Sequence, residues 1–289
     1  MIASMRERRS IPEFDAHLLL RSRTVTIRDV CCQGRCKQPS AEEYATATEL
    51  VFPYRGVYIR HLGNSQAVAE ANQVLFFNAA ESYRVSHPVS GGDASLSLAI
   101  GESLLDELVP KLLLRGGATP AFRDQRLRID SRTQALVALL RHSLRQNIAE
   151  DLEAESLALT VVQRAIGQRT THSAAASLGR QRLADRAKLI LASDPARRWT
   201  LAEIGAEARC SPVYLTQVFQ QVEGLPLYRY QLRLRLARSL DLLAQYDDLT
   251  ALSLDLGFSS HSHFSAAFRS AYGRSPSEFK QSALGPTNR

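Results

Sequence analysis

The sequence is poor in the features that mark membrane and secreted proteins. It holds only four cysteines, two methionines and one tryptophan in 289 residues. No apolar run approaches the ~20 residues that span a bilayer, and no apolar segment with a small-residue cleavage site follows Arg6, Arg8 and Arg9. We therefore expect a cytoplasmic protein without a membrane partner. A content of 45% hydrophobic and 22% charged residues is typical of a soluble globular chain, and the length favours two domains.

Acidic residues are outnumbered, most clearly toward the end of the chain. The net charge is +7, and residues 180–289 hold 15 Lys and Arg against 10 Asp and Glu. A basic surface strengthens phosphate binding and makes it salt-dependent. Because a basic enzyme would have a similar charge, the functional prediction must come from motifs.

A spacing of 49 residues recurs in the last third of the chain. The residues at this spacing are Leu215 and Phe264, Phe219 and Phe268, and Gly224 and Gly273. Each set follows a serine that can cap a short amphipathic helix. Two helix-turn-helix units in tandem, on a basic chain without a catalytic signature, indicate that two helices enter successive major grooves of DNA.

The first unit is predicted from its capping and turn residues. Thr200 with Glu203 forms a capping box, so a helix begins there. A turn follows in which Arg209 must adopt a geometry that usually requires glycine. The second helix is predicted from Pro212 to Val222, because proline is favoured at the first helical position.

The second unit repeats this plan. Asp248 precedes its first helix, Gly257-Phe258 makes the turn, and Ser260 caps its second helix. A capping box at 275–278 predicts a closing helix. Between the units, Leu227 to Leu243 has a leucine stripe among arginines, which predicts a rigid connecting helix.

Several motifs of this region together resemble one family. They are Trp199-Thr200-Leu201, Ser211-Pro212-Val213-Tyr214-Leu215, Gly257-Phe258-Ser259-Ser260, His263-Phe264, Tyr272-Gly273 and Pro276-Ser277-Glu278-Phe279. Over roughly residues 180–282 the chain is similar to the DNA-binding domain of AraC/XylS-type transcription regulators. The resemblance implies a non-enzymatic regulator that binds double-stranded promoter DNA.

The side chains expected to face DNA are those on the outer sides of the two second helices. They are Val213, Thr216, Gln217, Gln220, His261, Ser262, Ser265 and Arg269. The Gln217 amide favours adenine, and apolar groups such as Val213 favour thymine methyls. No Lys or Arg lies between 212 and 222, so guanine readout is not expected from the first unit. We expect Arg269 to contact the phosphate backbone of the DNA.

The first hundred residues have the short β-rich runs of a small barrel or sandwich. The predicted strands are 24–30, 56–62, 73–77, 83–87 and 96–100, and the predicted helices are 104–114, 131–144 and 152–166. This order is similar to regulators with a cupin-like sensing domain. The expected class is α+β, with a cupin-like β-barrel and helical segment at 1–167, a linker at 168–179 and an all-α DNA-binding domain at 180–289.

The resemblance implies an unknown effector bound in the N-terminal cup and a homodimer formed through Ser131 to Ile166. RNA polymerase is a further candidate partner, although no residue indicates that contact. No cofactor is expected. Metal-dependent cupin enzymes need several His ligands and a carboxylate, whereas His61 and His87 are two widely separated candidates.

Three of the four cysteines form a cluster, Cys31, Cys32 and Cys36. Arg and Lys residues beside them would favour the reactive thiolate, so thiol-based redox or soft-metal sensing is an alternative to an inert reduced cluster. A structural zinc site needs a fourth ligand that the sequence does not name, and no metal site is predicted. A DNA alkylation-repair methyl acceptor is the remaining alternative, but such proteins use four cysteine ligands.

Overall fold

The N-terminal half of the molecule is rich in antiparallel sheet. In the computed structural model of the chain, the described residues are 14–117, 119–167 and 176–284. Their strands are β1 (Phe14–Arg21), β2 (Val25–Cys32), β3 (Glu43–Tyr44), β4 (Glu49–Arg55), β5 (Tyr58–Leu62), β6 (Ser65–Ala69), β7 (Gln73–Phe77), β8 (Ser82–Ser86), β9 (Asp93–Ile100), β10 (Leu114–Arg115), β11 (Ala121–Phe122) and β12 (Arg126–Arg128). Each of the five predicted strands has a counterpart, and the prediction for 73–77 matches β7 in both ends.

The strands form two larger sheets and one short pair. The six-stranded sheet has the order β1-β2-β9-β4-β7-β12, and the four-stranded sheet has the order β3-β8-β5-β6. Strands β10 and β11 pair with each other. Because both larger sheets keep open edges among the described residues, the expected closed barrel is not confirmed, and the supported statement is a sheet-rich N-terminal region.

The other long regular elements of the described chain are helices. They are α1 (Glu102–Leu108), α2 (Ser131–Arg145), α3 (Asp151–Gly167), α4 (Leu178–Ser193), α5 (Leu201–Ala208), α6 (Pro212–Glu223), α7 (Leu227–Leu242), α8 (Leu249–Asp255), α9 (His261–Tyr272) and α10 (Pro276–Leu284). None of them combines the length and apolarity needed to cross a bilayer. The predicted linker at 168–179 lies largely outside the described residues, and the domain bounds stay a prediction.

The prediction of one helix over 104–114 is wrong at its second half. Helix α1 ends at Leu108, and Val109 is extended, with φ −88° and ψ 125°. Proline restricts the residue before it to extended backbone and cannot donate a helical hydrogen bond, so Pro110 ends the helix. Residues 111–113 then form a single 3-10 turn.

Helix α2 connects the two halves of the chain. Asp130 caps it, because its carboxylate accepts the Thr133 amide. One side of α2 packs on α3 and on the core of the larger sheet, and the other side contacts α7, α9 and α10. Part of the segment expected to form a dimer is therefore covered within the same chain.

Ion pairs between half-buried arginines and buried carboxylates also join the halves. Arg126 and Arg128 of β12 reach Asp185 of α4 and Glu223 of α6 at 3.1 and 2.9 Å. Lys188 lies 2.5 Å from Glu223. Burial by itself would raise the pKa of Glu223, but these three cations outweigh it and lower that pKa to about 2.

Candidate nucleic-acid interface

The first helix-turn-helix unit consists of α5 and α6. The predicted capping box is confirmed: the Thr200 side chain accepts the Glu203 amide, and the Glu203 carboxylate accepts the Thr200 amide. The Glu203 carboxylate also accepts from the Thr200 hydroxyl and from Arg197, and these bonds together with the one from the Thr200 amide lower the pKa of Glu203 to about 2. Ser211 caps α6, and Pro212 occupies its first turn. The local sequence thus sets where both helices begin.

Close packing sets the angle between α5 and α6. A Cβ atom on Gly205 would lie 2.9 Å from the Cys210 carbonyl oxygen, so the helix needs glycine where the chain crosses it. Leu215 and Phe219 of α6 are fully buried. Arg209, between the helices, has φ 58° and ψ 46°, which confirms that it accepts the left-handed turn.

The second unit consists of α8 and α9. Asp248 and Ser260 cap the two helices as predicted, and Gly257 has φ 78° at the turn. Phe264 and Phe268 are fully buried at the positions that correspond to Leu215 and Phe219 of the first unit. The repeat in the sequence is therefore a repeat of buried positions.

A clamp that sequence reasoning missed fixes the two units relative to each other. The Arg235 guanidinium on α7 donates to the carbonyl oxygens of Pro195, Ala196, Arg197 and Gly257 at 2.7–3.1 Å. A Cβ atom on Gly257 would lie 2.0 Å from the Ala196 carbonyl oxygen. The chain before the first unit thus meets the turn of the second. An arginine within the leucine stripe of α7 was the available signal.

The outer faces of α6 and α9 are open to solvent. Val213 is 69% exposed, and Gln217 and Gln220 are exposed on the same helix. The Thr216 hydroxyl donates to the Pro212 carbonyl oxygen at 2.9 Å, so its methyl group is the part left to face a ligand. Helix α6 therefore offers amides and apolar groups, as the sequence predicts.

Helix α9 offers a different set of groups. His261, Ser262 and Arg269 are exposed, whereas Ser265 is half-buried, with its hydroxyl 3.3 Å from His261 Nε2. His263 lies edge-on to the Phe258 ring and is bonded to Ser259 at 3.1 Å. A structural role for His263 agrees with these contacts.

The cysteine cluster divides into two environments, both in the N-terminal half. Cys31 Sγ lies 3.9 Å from the Tyr54 hydroxyl, whereas Cys36 Sγ lies 3.0 Å from His87 Nδ1. Asp93 Oδ2 lies 2.6 Å from His87 Nε2, within hydrogen-bond distance. Burial lowers the pKa of His87, but its hydrogen bonds with Asp93, Cys32 and Cys36 raise that pKa to about 11. The sequence did not indicate Asp93.

Residues 204–282 match the family model described as a helix-turn-helix domain. A putative AraC-like transcription regulator of Streptomyces antibioticus is 28% identical over 199 residues, which are 66% of this chain and 62% of that protein. The region is an AraC-type helix-turn-helix domain. The family resemblance that the sequence indicates is confirmed for this domain.

Other similar proteins include a second curated relative and two solved structures. The probable transcriptional regulator LumQ of Photobacterium leiognathi is 26% identical over 161 residues, which are 53% of this chain and 61% of that protein. The chain thus spans less than two thirds of the length of these curated relatives. A solved AraC-type regulator from Chromobacterium violaceum is 27% identical. The match covers 38% of this chain and 99% of that protein's chain, with a TM-score of 0.35. ToxT from Vibrio cholerae is 14% identical and covers 94% of this chain and 99% of its own, with a TM-score of 0.36.

Proposed function

We propose that the chain is a sequence-specific DNA-binding transcription regulator without catalysis of its own. The observation that carries this proposal is the pair of AraC-type units held together by Arg235 and Gly257, with the outer faces of α6 and α9 open. Helices at a fixed separation can enter successive major grooves, where base edges are distinguishable.

The two recognition helices, α6 and α9, would make different kinds of contact with DNA. Helix α6 has no cation between 212 and 222, so it contributes base contacts through Gln217, Gln220 and the apolar groups of Val213 and Thr216. On α9, Ser262 and Ser265 are permissive readers. Arg269 and His261 supply the phosphate contacts that hold the register.

Selection from a random DNA pool with the full chain tests the proposal. We expect one enriched motif, with two parts about one helical turn apart. Gln217→Ala should relax one base position of that motif and cost roughly 1–3 kcal/mol there. Gln245→Ala, an exposed glutamine outside both recognition helices, serves as the control. Absence of any enriched motif would contradict the proposal, and uniform weakening by Gln217→Ala would assign Gln217 to phosphate.

The signal in this proposal reaches the AraC-type domain from the N-terminal half. A cleft of about 580 Å³, open to solvent, lies between the halves, with Tyr54 and Arg55 on one side and Arg235 and Arg238 on the other. An effector seated there would touch both halves and the clamp residue at once. Differential affinity for two arrangements of the halves is what effector control requires.

The cupin-like character of the N-terminal half, the homodimer, the effector and the RNA polymerase contact belong to the same proposal. Because α2 is packed against α7, α9 and α10, a dimer through 131–166 would rely on the outer side of α3. Sedimentation of the purified chain with and without its selected DNA measures that state.

A further inference from the structure

Side chains from three segments of the N-terminal half converge on one buried imidazole. One ligand atom from each of Cys32, His87 and Asp93 lies within 4.8 Å of the other two. His87 and Asp93 are 3% and 6% exposed, so water does not compete freely for their polar atoms. Cys36 approaches the ring from its other nitrogen, with Sγ 3.0 Å from Nδ1. The cluster lies apart from the helices proposed to bind DNA.

Glycines let these segments meet. A Cβ atom on Gly92 would lie 2.3 Å from the Cys32 carbonyl oxygen, and one on Gly34 would lie 2.8 Å from the Gly92 Cα. Both glycines have positive φ, +70° and +66°. The backbone after β2 therefore rests directly on the turn before β9, and the His87 amide donates to the Cys36 carbonyl oxygen at 2.7 Å. Backbone contacts fix the cluster on both sides.

The chemistry of this set is that of a metal site. Thiolate, imidazole and carboxylate are the ligands that Zn²⁺ takes in proteins, at about 2.0–2.3 Å from the ion. The Gly34 amide donates to Cys32 Sγ at 3.4 Å, so the backbone after β2 holds the sulfur in place. Asp93 is nearest to Nε2 of His87, and a metal-bound histidine commonly binds a partner through its other nitrogen. Cys36 occupies that partner position.

We propose that Cys32, His87 and Asp93 bind one soft divalent metal ion of the Zn²⁺ type, and that Cys36 orients His87 from the opposite ring nitrogen. The ion replaces the proton between His87 and Asp93 and also displaces the thiol proton of Cys32 to solvent. Three protein ligands leave a fourth position for water or an external ligand. This inference goes beyond the proposed function, because metal binding at this site can be measured without DNA.

Cys31 provides a matched control within the same cluster of the sequence. It is adjacent to Cys32, yet successive side chains of a strand point to opposite faces of the sheet. Its neighbours are the Tyr54 hydroxyl at 3.9 Å and Arg55 Nη2 at 3.7 Å. A cation beside a thiol makes a poor site for a second cation, so metal binding should distinguish the two adjacent cysteines.

The test is a Co²⁺ titration of the reduced, chelator-treated full chain. We expect one Co²⁺ per chain, with the thiolate-to-cobalt charge-transfer absorption, and displacement of that absorption by one equivalent of Zn²⁺. Cys32→Ser and His87→Gln should abolish the absorption, and Cys31→Ser should leave it unchanged. Cys36→Ser should keep it, with an affinity about 10- to 100-fold lower, the cost of losing an orienting partner.

Wild-type protein that binds no stoichiometric Co²⁺, or binds it without the thiolate absorption, would overturn the proposal whatever the variants do. Equal losses in Cys31→Ser and Cys32→Ser would overturn it as well. Loss of the absorption in Cys36→Ser would make Cys36 a ligand and contradict the assigned set. Thermal unfolding followed by circular dichroism checks that each variant retains its fold.

Discussion

The two helix-turn-helix units share a plan but differ in what stabilises them. The second unit has an aromatic core in which the Phe268 ring contacts those of Phe264, Tyr272 and Phe279 at centroid distances of 4.6–5.8 Å. In the first unit the corresponding ring, Phe219, has a single aromatic contact among the described residues, with Tyr230 at 5.2 Å. Aromatic contacts of this kind add to the gain from burial.

The first unit relies more on buried charge. Its recognition helix ends in Glu223, which is 1% exposed and forms ion pairs with Lys188 of the same domain and with Arg128 of the N-terminal half. The second unit contacts the N-terminal half mainly through the apolar face of α2. The first unit thus contacts the N-terminal half through ion pairs, and the second unit contacts it through apolar packing.

Glu223→Gln should destabilise the first unit far more than the second. The substitution leaves Lys188 and Arg128 buried with their main counter-charge removed, and loss of one partner of a buried ion pair costs about 3–5 kcal/mol. Urea unfolding of the full chain measures the loss. Hydrogen exchange should locate it in α4 and α6 rather than in α9. Glu207→Gln, at an exposed position on α5, is the control.

The same substitution predicts a change in pH dependence. The pKa of Glu223 is lowered in the fold to about 2, from an ordinary value of 4.5. A lowered carboxyl pKa stabilises the fold above the unfolded value, and that stabilisation is lost as the pH falls from 4.5 toward 2. Glu223→Gln should flatten the stability profile in this window. An unchanged profile would contradict the electrostatic account of the first unit.

The clamp between the units predicts a difference between two glycines with nearly equal backbone angles. Gly257 and Gly273 have φ +78° and +76°, so alanine costs about 1–2 kcal/mol of backbone strain at either position. A Cβ atom on Gly257 would meet the Ala196 carbonyl oxygen at 2.0 Å, whereas one on Gly273 has no neighbour within 4 Å. Gly257→Ala should therefore displace the units and lower affinity for the selected DNA by about a hundredfold, because simultaneous engagement is lost.

Gly273→Ala is the matched control for this experiment. It should lower stability by a similar backbone term and leave DNA affinity close to that of the wild type in titrations at low temperature. Equal affinity losses in the two variants would contradict the clamp.

Sequence reasoning succeeded where the signal is local. The capping hydrogen bonds of Ser211, Ser260 and the Thr200–Glu203 pair each span three residues. The motif in the sequence is therefore enough to predict the hydrogen bond. The buried positions of α6 and α9 follow from helical spacing in the same way. The overlooked local signal was Pro110, whose effect on the preceding residue ends α1.

Sequence reasoning failed where residues meet across the fold. Asp93 is 61 residues from Cys32 along the chain, and its approach depends on the Gly34 and Gly92 backbones fitting together. Arg235 donates to backbone carbonyl groups of two turns that are distant in the sequence. Every residue has such a carbonyl group, so no residue type at those turns predicts the contact. The Glu223 ion pairs depend on how β12 docks on α6. Long-range contacts of this kind are set by packing rather than by spacing.

The turn of the first unit carries backbone strain at Arg209. Arg209 adopts φ 58° where Gly257 serves in the second unit, and left-handed backbone costs a non-glycine residue about 1–2 kcal/mol. Replacing Arg209 with glycine removes this strain, but part of the stabilisation is lost because glycine raises the conformational entropy of the unfolded chain. Arg209→Gly should therefore stabilise the fold by about 0.5–1 kcal/mol in urea unfolding.

Arg209→Ala keeps the backbone strain and removes the side chain, so it should leave stability nearly unchanged. Equal stabilisation by both substitutions would assign the effect to the arginine side chain, and the turns of the two units would then differ in charge rather than in backbone strain.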